Sequence, residues 1–137
     1  MLEVGAEGMR RVVYVSTAVN LNEGDVVSIV EHAQRSNQRH GISGFLLYNG
    51  RSFFQLLEGP TDALRALMVR LDQDSRHSGV IVLENSDAVV PCFPGWAMRH
   101  LRLAETLSER HGVIDAALPS ELDPMIRRLA VNFSTLN

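Results

Sequence analysis

Three polar side chains in this sequence could form a hydrogen-bonded group inside the protein. Gln55 lies in the middle of the apolar run 53–57, and a buried amide without partners costs about 1–3 kcal/mol. Tyr14 and Ser16 are two residues apart in a β-branched run, so in a strand their hydroxyls share one face. A phenol is oxidisable and protonated at neutral pH, and an amide carries both a donor and an acceptor. The more ordinary alternative is a structural amide that only satisfies a neighbouring loop or backbone group.

Gln55 belongs to a β-hairpin that we predict over residues 41–59. Two apolar runs flank Asn49-Gly50, a pair typical of a type I′ turn in which both residues have positive φ. Both strands are apolar on both faces. The hairpin is therefore expected near the centre of a sheet that is covered on each side.

Two further elements precede the hairpin. Residues 11–16 form a β-branched strand. Asn20 or Asn22 can cap a helix that runs to about Asn37, with Ile29 in its core-facing stripe. Asn37 then ends the buried stripe, although an asparagine there could equally do no more than cap its own helix.

After the hairpin the pattern predicts a helix and two strands. The helix starts with Pro60 in its first turn and ends near residues 76–79, and a strand follows at 80–83. Proline and glycine precede residues 96–100, which favours an edge strand there. Alternation along that strand places Trp96 and Met98 on one face.

The resulting order, βαββαββ, predicts an α+β fold. Crossover helices after the first and third strands give the ferredoxin-like arrangement with an extra strand and with both helices on one face. The other face needs a cover, which the tail can supply on its own sheet or on a partner's. A helix near 104–110 precedes a cap at Ser120 and an apolar stripe at helical spacing, formed by Leu122, Ile126, Leu129 and Phe133. We divide the chain into a flexible N-terminal extension (1–9), a domain (10–100) and a C-terminal helical extension (101–137).

Composition excludes several classes of protein. The 137 residues carry a net charge of −3 with a pI of about 5.9, so the basic footprint of a nucleic-acid binder is missing. No apolar run reaches the length of a membrane helix, and the N-terminus does not resemble a secretory leader. The expectation is a cytoplasmic protein that binds neither nucleic acid nor membrane.

Strand parity and the helical stripe allow a set of side chains to share the face that the two helices cover. The set comprises Tyr14, Ser16, Asn37, Gln55, Trp96 and Met98. A core does not require six polar or aromatic side chains on one face for its packing. A planar heterocycle with several donors and acceptors, slotted between the helices, would satisfy Asn37 and Gln55 and pack against Ile29 and Leu71.

The sequence resembles the BLUF domains, sensors of blue light using FAD, from about residue 11 to residue 100. The resemblance lies in five pieces that occur in the family's order and spacing: Tyr14-Val15-Ser16; Asn37 followed by Gly41-Ile42-Ser43-Gly44; Phe54-Gln55-Leu56-Leu57-Glu58-Gly59; Asp74-Ser75-Arg76-His77; and Phe93-Pro94-Gly95-Trp96-Ala97-Met98.

The resemblance implies a non-covalently bound flavin, FAD or alternatively FMN. Asn37 and Gln55 would hold the edge of its ring, with Tyr14 hydrogen-bonded to Gln55. The resemblance also places Arg70, Arg76 and His77 near the ring or its ribityl-phosphate arm. In the family's mechanism light drives an electron and a proton from the tyrosine to the flavin, and the glutamine rotates or tautomerises. The strand that carries Trp96 and Met98 would relay this change.

The favoured hypothesis is a light-sensing flavoprotein without a catalytic domain of its own. About 37 residues follow His100, too few for such a domain, so the output would go to an unidentified signalling partner. Residual apolar surface predicts a homo-oligomer. Three alternatives are weaker. They are a non-photoactive small-ligand-binding module; an acylphosphatase-like hydrolase, whose glycines and arginine are absent from 17–22; and a single-stranded RNA-binding sheet that stacks bases on Phe53 and Phe54.

Overall fold

The computed structural model describes residues 8–19, 21–75, 77–87, 93, 97–101, 103 and 107–136. In chain order the elements are β1 (Met9–Ala18), α1 (Glu23–His40), β2 (Ser43–Tyr48), β3 (Ser52–Pro60), α2 (Thr61–Asp72), β4 (His77–Asp87), β5 (Ala97–His100), α3 (Leu107–Ala117) and α4 (Pro124–Ser134). The predicted α+β class and the order βαββαββ are confirmed.

The strands form one five-stranded sheet in the order β4-β1-β3-β2-β5. Neighbouring strands are antiparallel except β5, which runs parallel to β2. The first four positions are those of the ferredoxin-like arrangement, and β5 adds the extra strand. As predicted, the hairpin formed by β2 and β3 lies inside the sheet, with β3 at its centre.

The hairpin turn differs from the predicted type I′ turn. Gly50 has a φ of 93°, but Asn49 does not have a positive φ. Asn49 is buried, and its Oδ1 accepts hydrogen bonds from the N–H groups of Arg51, at 3.1 Å, and Ser52, at 2.8 Å. The side chain of Asn49 thus closes the turn, so one left-handed residue is enough.

The two faces of the sheet carry separate hydrophobic cores. On the helix-covered face, residues of β1 and β3 pack with residues of α1 and α2: Val12, Tyr14, Phe53, Leu57, Val26, Ile29, Val30 and Leu64. On the opposite face, residues of β1, β2 and β3 pack with residues of α3 and α4: Val13, Phe45, Phe54, Leu56, Ile114, Ile126, Ala130 and Phe133. The tail therefore covers its own sheet. Phe53 and Phe54 are buried in these cores, so they cannot stack nucleic-acid bases.

Several predicted boundaries were wrong. α1 extends past Asn37 to His40, and α2 ends at Asp72 rather than near 76–79. β4 covers 77–87 instead of 80–83 because it pairs with β1 along Arg10–Ala18. β1 begins at Met9, inside the segment predicted as an extension. Residues 1–7 and Trp96 lie outside the described residues.

The tail helices also differ from their predicted boundaries. α3 is described over Leu107–Ala117, so it continues past the predicted end at 110, and residues 104–106 lie outside the described residues. The cap of α4 is not Ser120 but Asp123, whose Oδ1 accepts from the N–H of Met125 at 2.7 Å, and Pro124 occupies the first turn. In the described part of the chain, no helix combines the length and apolar character that crossing a membrane requires.

A buried ion pair joins three parts of the chain on the tail-covered side. Glu58 is 0% exposed, and its Oε2 accepts from Nη2 of Arg11 at 2.6 Å and from Nε at 2.8 Å. Its Oε1 accepts from the backbone N–H of Phe93 at 3.3 Å. The carboxylate thus ties β1 and β3 to the segment that precedes β5.

Replacing Arg11 with methionine should destabilise the fold strongly. The variant leaves the carboxylate of Glu58 buried without its cation, a loss of about 3–5 kcal/mol. Arg65→Met is the matched control: its ion pair with Asp62 is 3.2 Å long, but the two side chains are 71% and 95% exposed, so the loss should stay below about 1 kcal/mol. Urea unfolding followed by circular dichroism measures both. An equal loss of unfolding free energy in the two variants would show that the buried ion pair of Arg11 and Glu58 does not stabilise the fold more than an exposed pair.

Candidate functional site

A chain of hydrogen bonds runs through the centre of the helix-covered core. Tyr14 and Gln55 are opposite each other in the antiparallel pairing of β1 and β3, and the hydroxyl of Tyr14 donates to Oε1 of Gln55. Nε2 of Gln55 donates to Sδ of Met98 at 3.1 Å. All three side chains are buried. Both functions of the amide are therefore used, one by a phenol and one by a thioether.

Met98 reaches Gln55 because β5 contains a bulge. Gly44 of β2 pairs with Ala97, and Phe45 pairs with Arg99, so Met98 has no counterpart in β2. The extra residue directs the thioether to the helix-covered face. Gly44 itself has a φ of 151°, and a Cβ there would lie 1.8 Å from the carbonyl oxygen of Leu56. Only glycine allows β2 to pass β3 so closely at this point.

A cleft of about 210 Å3 opens above this chain, between α1 and α2. Tyr14 and Gln55 form part of its wall. The other predicted residues on its lining are Ile29 and Asn37 from α1 and Arg70 and Leu71 from α2. Six of the predicted site residues thus meet at one cleft.

The remaining predicted residues are Ser16, Arg76, His77 and Trp96. Ser16 is buried, but it is not among the residues that line the cleft. Arg76 and Trp96 lie outside the described residues, and of His77 the structure describes only the backbone, at the start of β4.

Asn37 tests whether the cleft suits a heterocycle. Its backbone oxygen accepts the N–H groups of Gly41 and Ile42 that follow α1. Its side chain is not used in this way: the residue is 1% exposed, and Nδ2 has no hydrogen-bond partner. A buried donor without an acceptor is rare. A flavin ring, with carbonyl and ring-nitrogen acceptors on one edge, would satisfy it, so these residues fit the cofactor.

The structure adds lining residues that we did not predict as site residues: the polar His32, Ser36 and Asp74, and the apolar Val30, Ala33, Leu46 and Leu67. His32 and Ser36 follow Ile29 at steps of three and four residues, so helical periodicity could have identified them. Asp74 lies beyond the end of α2, in a segment without periodicity. It belongs to the motif Asp74-Ser75-Arg76-His77, from which we took only Arg76 and His77 as site residues.

The environment of Tyr14 favours its neutral form. Burial raises the pKa of the phenol well above its usual value, and the nearby carboxylate of Asp74 raises it further. Both causes penalise a negative charge on the ring oxygen. Tyr14 therefore keeps its proton, and its role as donor to Gln55, at physiological pH.

Comparison with known proteins identifies the family. The family model described as BLUF, sensors of blue-light using FAD, matches residues 9–99. This chain belongs to the BLUF family. The resemblance found from the five sequence motifs is thus confirmed, and the chain is a blue-light sensor domain that binds a flavin.

Individual relatives and solved structures are also similar to this chain. The chain is 33% identical over 97 residues to the photoactivated adenylate cyclase subunit beta of Euglena gracilis, which is 69% of this chain and 11% of that protein. Klebsiella pneumoniae BlrP1, solved with FMN and cyclic diGMP, superposes with a TM-score of 0.79 at 28% identity, over 92% of this chain and 34% of that one. The dark-state structure of the BLUF protein BlrB gives a TM-score of 0.69 at 28% identity, over 90% and 84%. The chain thus spans only about a tenth (11%) of the length of the Euglena gracilis protein.

The raised pKa of Tyr14 predicts a pH-dependent loss of stability. Above about pH 10 the unfolded chain releases its phenol protons while the folded protein retains that of Tyr14, so the unfolded state binds fewer protons. The free energy of unfolding should fall by about 1.4 kcal/mol per pH unit from this group. The chain contains no lysine, which leaves few other groups that titrate in this range.

Tyr14→Phe should flatten the fall between about pH 10 and 11.5. Tyr48→Phe is the matched control and should keep the slope of the wild type, because Tyr14 is still present. Urea unfolding at a series of pH values measures the slopes. An unchanged slope in Tyr14→Phe would contradict the assignment.

Proposed function

We propose that Tyr14 and Gln55 are the photochemical switch of this sensor and that Met98 carries the change to β5. One observation carries the proposal: the buried amide of Gln55 is bonded on one side to Tyr14 and on the other to Met98. Any change at the phenol therefore reaches the thioether through a single side chain.

The residues around the cleft suggest how the cofactor is held. We propose that Asn37 and Gln55 bind the polar edge of the ring, while Ile29 and Leu71 pack against its faces; all four line the cleft. Arg70 is exposed on the same cleft and suits the phosphate arm of FAD, or of FMN. For Ser16, Arg76 and His77, support comes from the sequence resemblance alone.

The bound flavin supplies the absorption of blue light and a site that takes up an electron and a proton. Tyr14 is oxidisable and holds its proton against Oε1 of Gln55. Loss of that proton together with an electron leaves the ring oxygen of Tyr14 uncharged and removes the hydrogen bond that fixes the amide. Gln55 is then free to turn.

A turned amide changes what Met98 faces. In the present arrangement Nε2 donates to Sδ of Met98 at 3.1 Å. After a half-turn the carbonyl oxygen faces the sulfur, and both atoms are acceptors. The thioether loses its hydrogen bond, while the new position of Nε2 gives Tyr14 a donor instead of an acceptor. Met98 is released without any change in net charge.

The output of the sensor is proposed to go to another protein. In support, the helices α3 and α4 that follow the sheet pack against it as part of the same domain. We therefore propose that these 137 residues contain no catalytic domain. Four further expectations stay predictions from the sequence: an unidentified signalling partner, a homo-oligomeric state, a cytoplasmic location, and the lack of nucleic-acid or membrane partners.

Three variants separate the proposed roles. Tyr14→Phe and Gln55→Leu should bind flavin but lose the red-shifted light state, since one lacks the proton and the other the amide. Met98→Ala should keep the red shift, because Tyr14 and Gln55 are intact, and weaken only the downstream response. Light-minus-dark absorption spectra at equal flavin occupancy measure this. A normal red shift in Gln55→Leu would refute the switch, and wild-type protein that takes up no added flavin would refute flavin binding.

Asn37→Leu should have opposite effects on the flavin-free and the flavin-bound protein. Without flavin it removes an unpartnered buried donor, so the free energy of unfolding should rise by about 1 kcal/mol. With flavin it removes a hydrogen bond, so the dissociation constant should rise by up to about tenfold. Asn132→Leu, at an exposed position of α4, is the control and should change neither. A lower stability of the flavin-free variant, or unchanged affinity, would contradict this role.

A further inference from the structure

The backbone of Met98 is in an uncommon conformation. Its φ is 141°, and it is the one non-glycine among the described residues with a positive φ. It is also the bulged residue of β5, without a counterpart in β2. Such a conformation persists only where the surrounding structure holds it, and an observed outlier of this kind is reason to look for a functional constraint.

Two sets of contacts hold the bulge. From the sheet, β5 pairs with β2 on both sides of Met98, and the N–H of Leu101 donates to the carbonyl of Leu46 at 3.0 Å. From the helices, Nε2 of Gln34 in α1 donates to the backbone carbonyl of Met98 at 2.9 Å. Gln34 is half-buried. The bulged residue is thus bonded at its carbonyl by one glutamine and at its sulfur by another, Gln55.

We propose that Gln34 is a positioning residue that holds β5 in its dark conformation. It fixes the carbonyl of Met98, and with it the bulge that directs the thioether at Gln55. The proposal deepens the proposed function and rests on it, since the contact that Gln34 supports is the one through which the switch acts.

The position of Gln34 also connects β5 to the cofactor cleft. Gln34 and Asn37 are three residues apart on α1, so their side chains are neighbours on the helix. Helix α1 therefore carries both the amide of Asn37, which faces the cleft, and the amide of Gln34, which holds β5. After Gln55 turns, the sulfur of Met98 has lost its donor, and the bond from Gln34 is the contact from the helices that, with the pairing to β2, still keeps the strained backbone in place. That bond opposes the light-state conformation of β5.

Gln34→Leu tests this, with Gln38→Leu as the matched control. Gln38 lies one turn further along the same helix and is exposed. Two measurements are made: hydrogen exchange of the β5 backbone in the dark, with and without flavin, and the rate of dark recovery of the red-shifted state. Gln34→Glu, which keeps the shape but loses the donor, repeats the test if the leucine variant does not fold.

Gln34→Leu should speed exchange in β5 about five- to tenfold in the dark. It should also slow dark recovery about two- to tenfold, because re-forming the dark conformation has lost one hydrogen bond. The amplitude of the red shift should be unchanged, since Tyr14 and Gln55 remain. Gln38→Leu should match the wild type in all three.

Exchange in β5 that is the same in Gln34→Leu and Gln38→Leu would overturn the proposal, and so would faster recovery, which would place the bond in the light state. If the wild type shows no red shift, the proposed function fails by itself. The exchange measurement on flavin-free protein still decides whether Gln34 holds the strand.

Discussion

A buried primary amide imposes the main constraint on this protein. Gln55 is at the centre of the middle strand, where its donor and its acceptor both need partners that water cannot supply. The two partners come from opposite sides: Tyr14 from β1 and Met98 from β5. The amide is satisfied only if the strand order puts β1 beside β3 and if the bulge in β5 turns its thioether inwards. The topology and the bulge are thus structural requirements of one side chain.

The two faces of the sheet divide the tasks of stability and function. The tail-covered face is closed by aromatic and aliphatic packing, including the stacked rings of Phe45 and Phe54, and is tied together by the ion pair of Arg11 and Glu58. The helix-covered face leaves a cleft and an unpartnered donor on Asn37. An unsatisfied buried donor lowers the stability of the flavin-free protein, which is typical of a site where local rules give way to binding.

The arrangement of the described residues also explains how one small change can reach the edge of the sheet. The amide of Gln55 offers a donor and an acceptor at different corners, so turning it exchanges hydrogen-bond partners while the charge stays the same. At the other end, the backbone of Met98 is held in an uncommon conformation by pairing with β2 and by α1. This held conformation is the one on which the proposed switch would act.

The sequence by itself determined which side chains share a face. Side chains alternate along a strand with a period of two, so within each strand spacing alone put Tyr14 and Ser16 on one face, and Gln55 and Phe54 on opposite faces. That Tyr14 and Gln55 share a face was decided by the register of β1 and β3. The apolar stripes likewise predicted the helices on both faces, and the ordered motifs predicted the family. These features depend on local periodicity, which the chain carries in its own order.

Only the tertiary structure decided the features that depend on contacts between distant segments. The length of β4 is set by its pairing with β1, and the turn at Asn49 closes through a side chain together with one left-handed residue, Gly50, rather than through two left-handed residues. The hydrogen bonds from Arg11 to Glu58 and from Gln34 to the bulge at Met98 join residues that are far apart in sequence. The lack of a partner for Nδ2 of Asn37 likewise depends on which distant segments pack around it. Periodicity predicts the face of an element on which a residue lies, but a hydrogen bond forms only within about 3 Å, and that distance is set by how the elements pack.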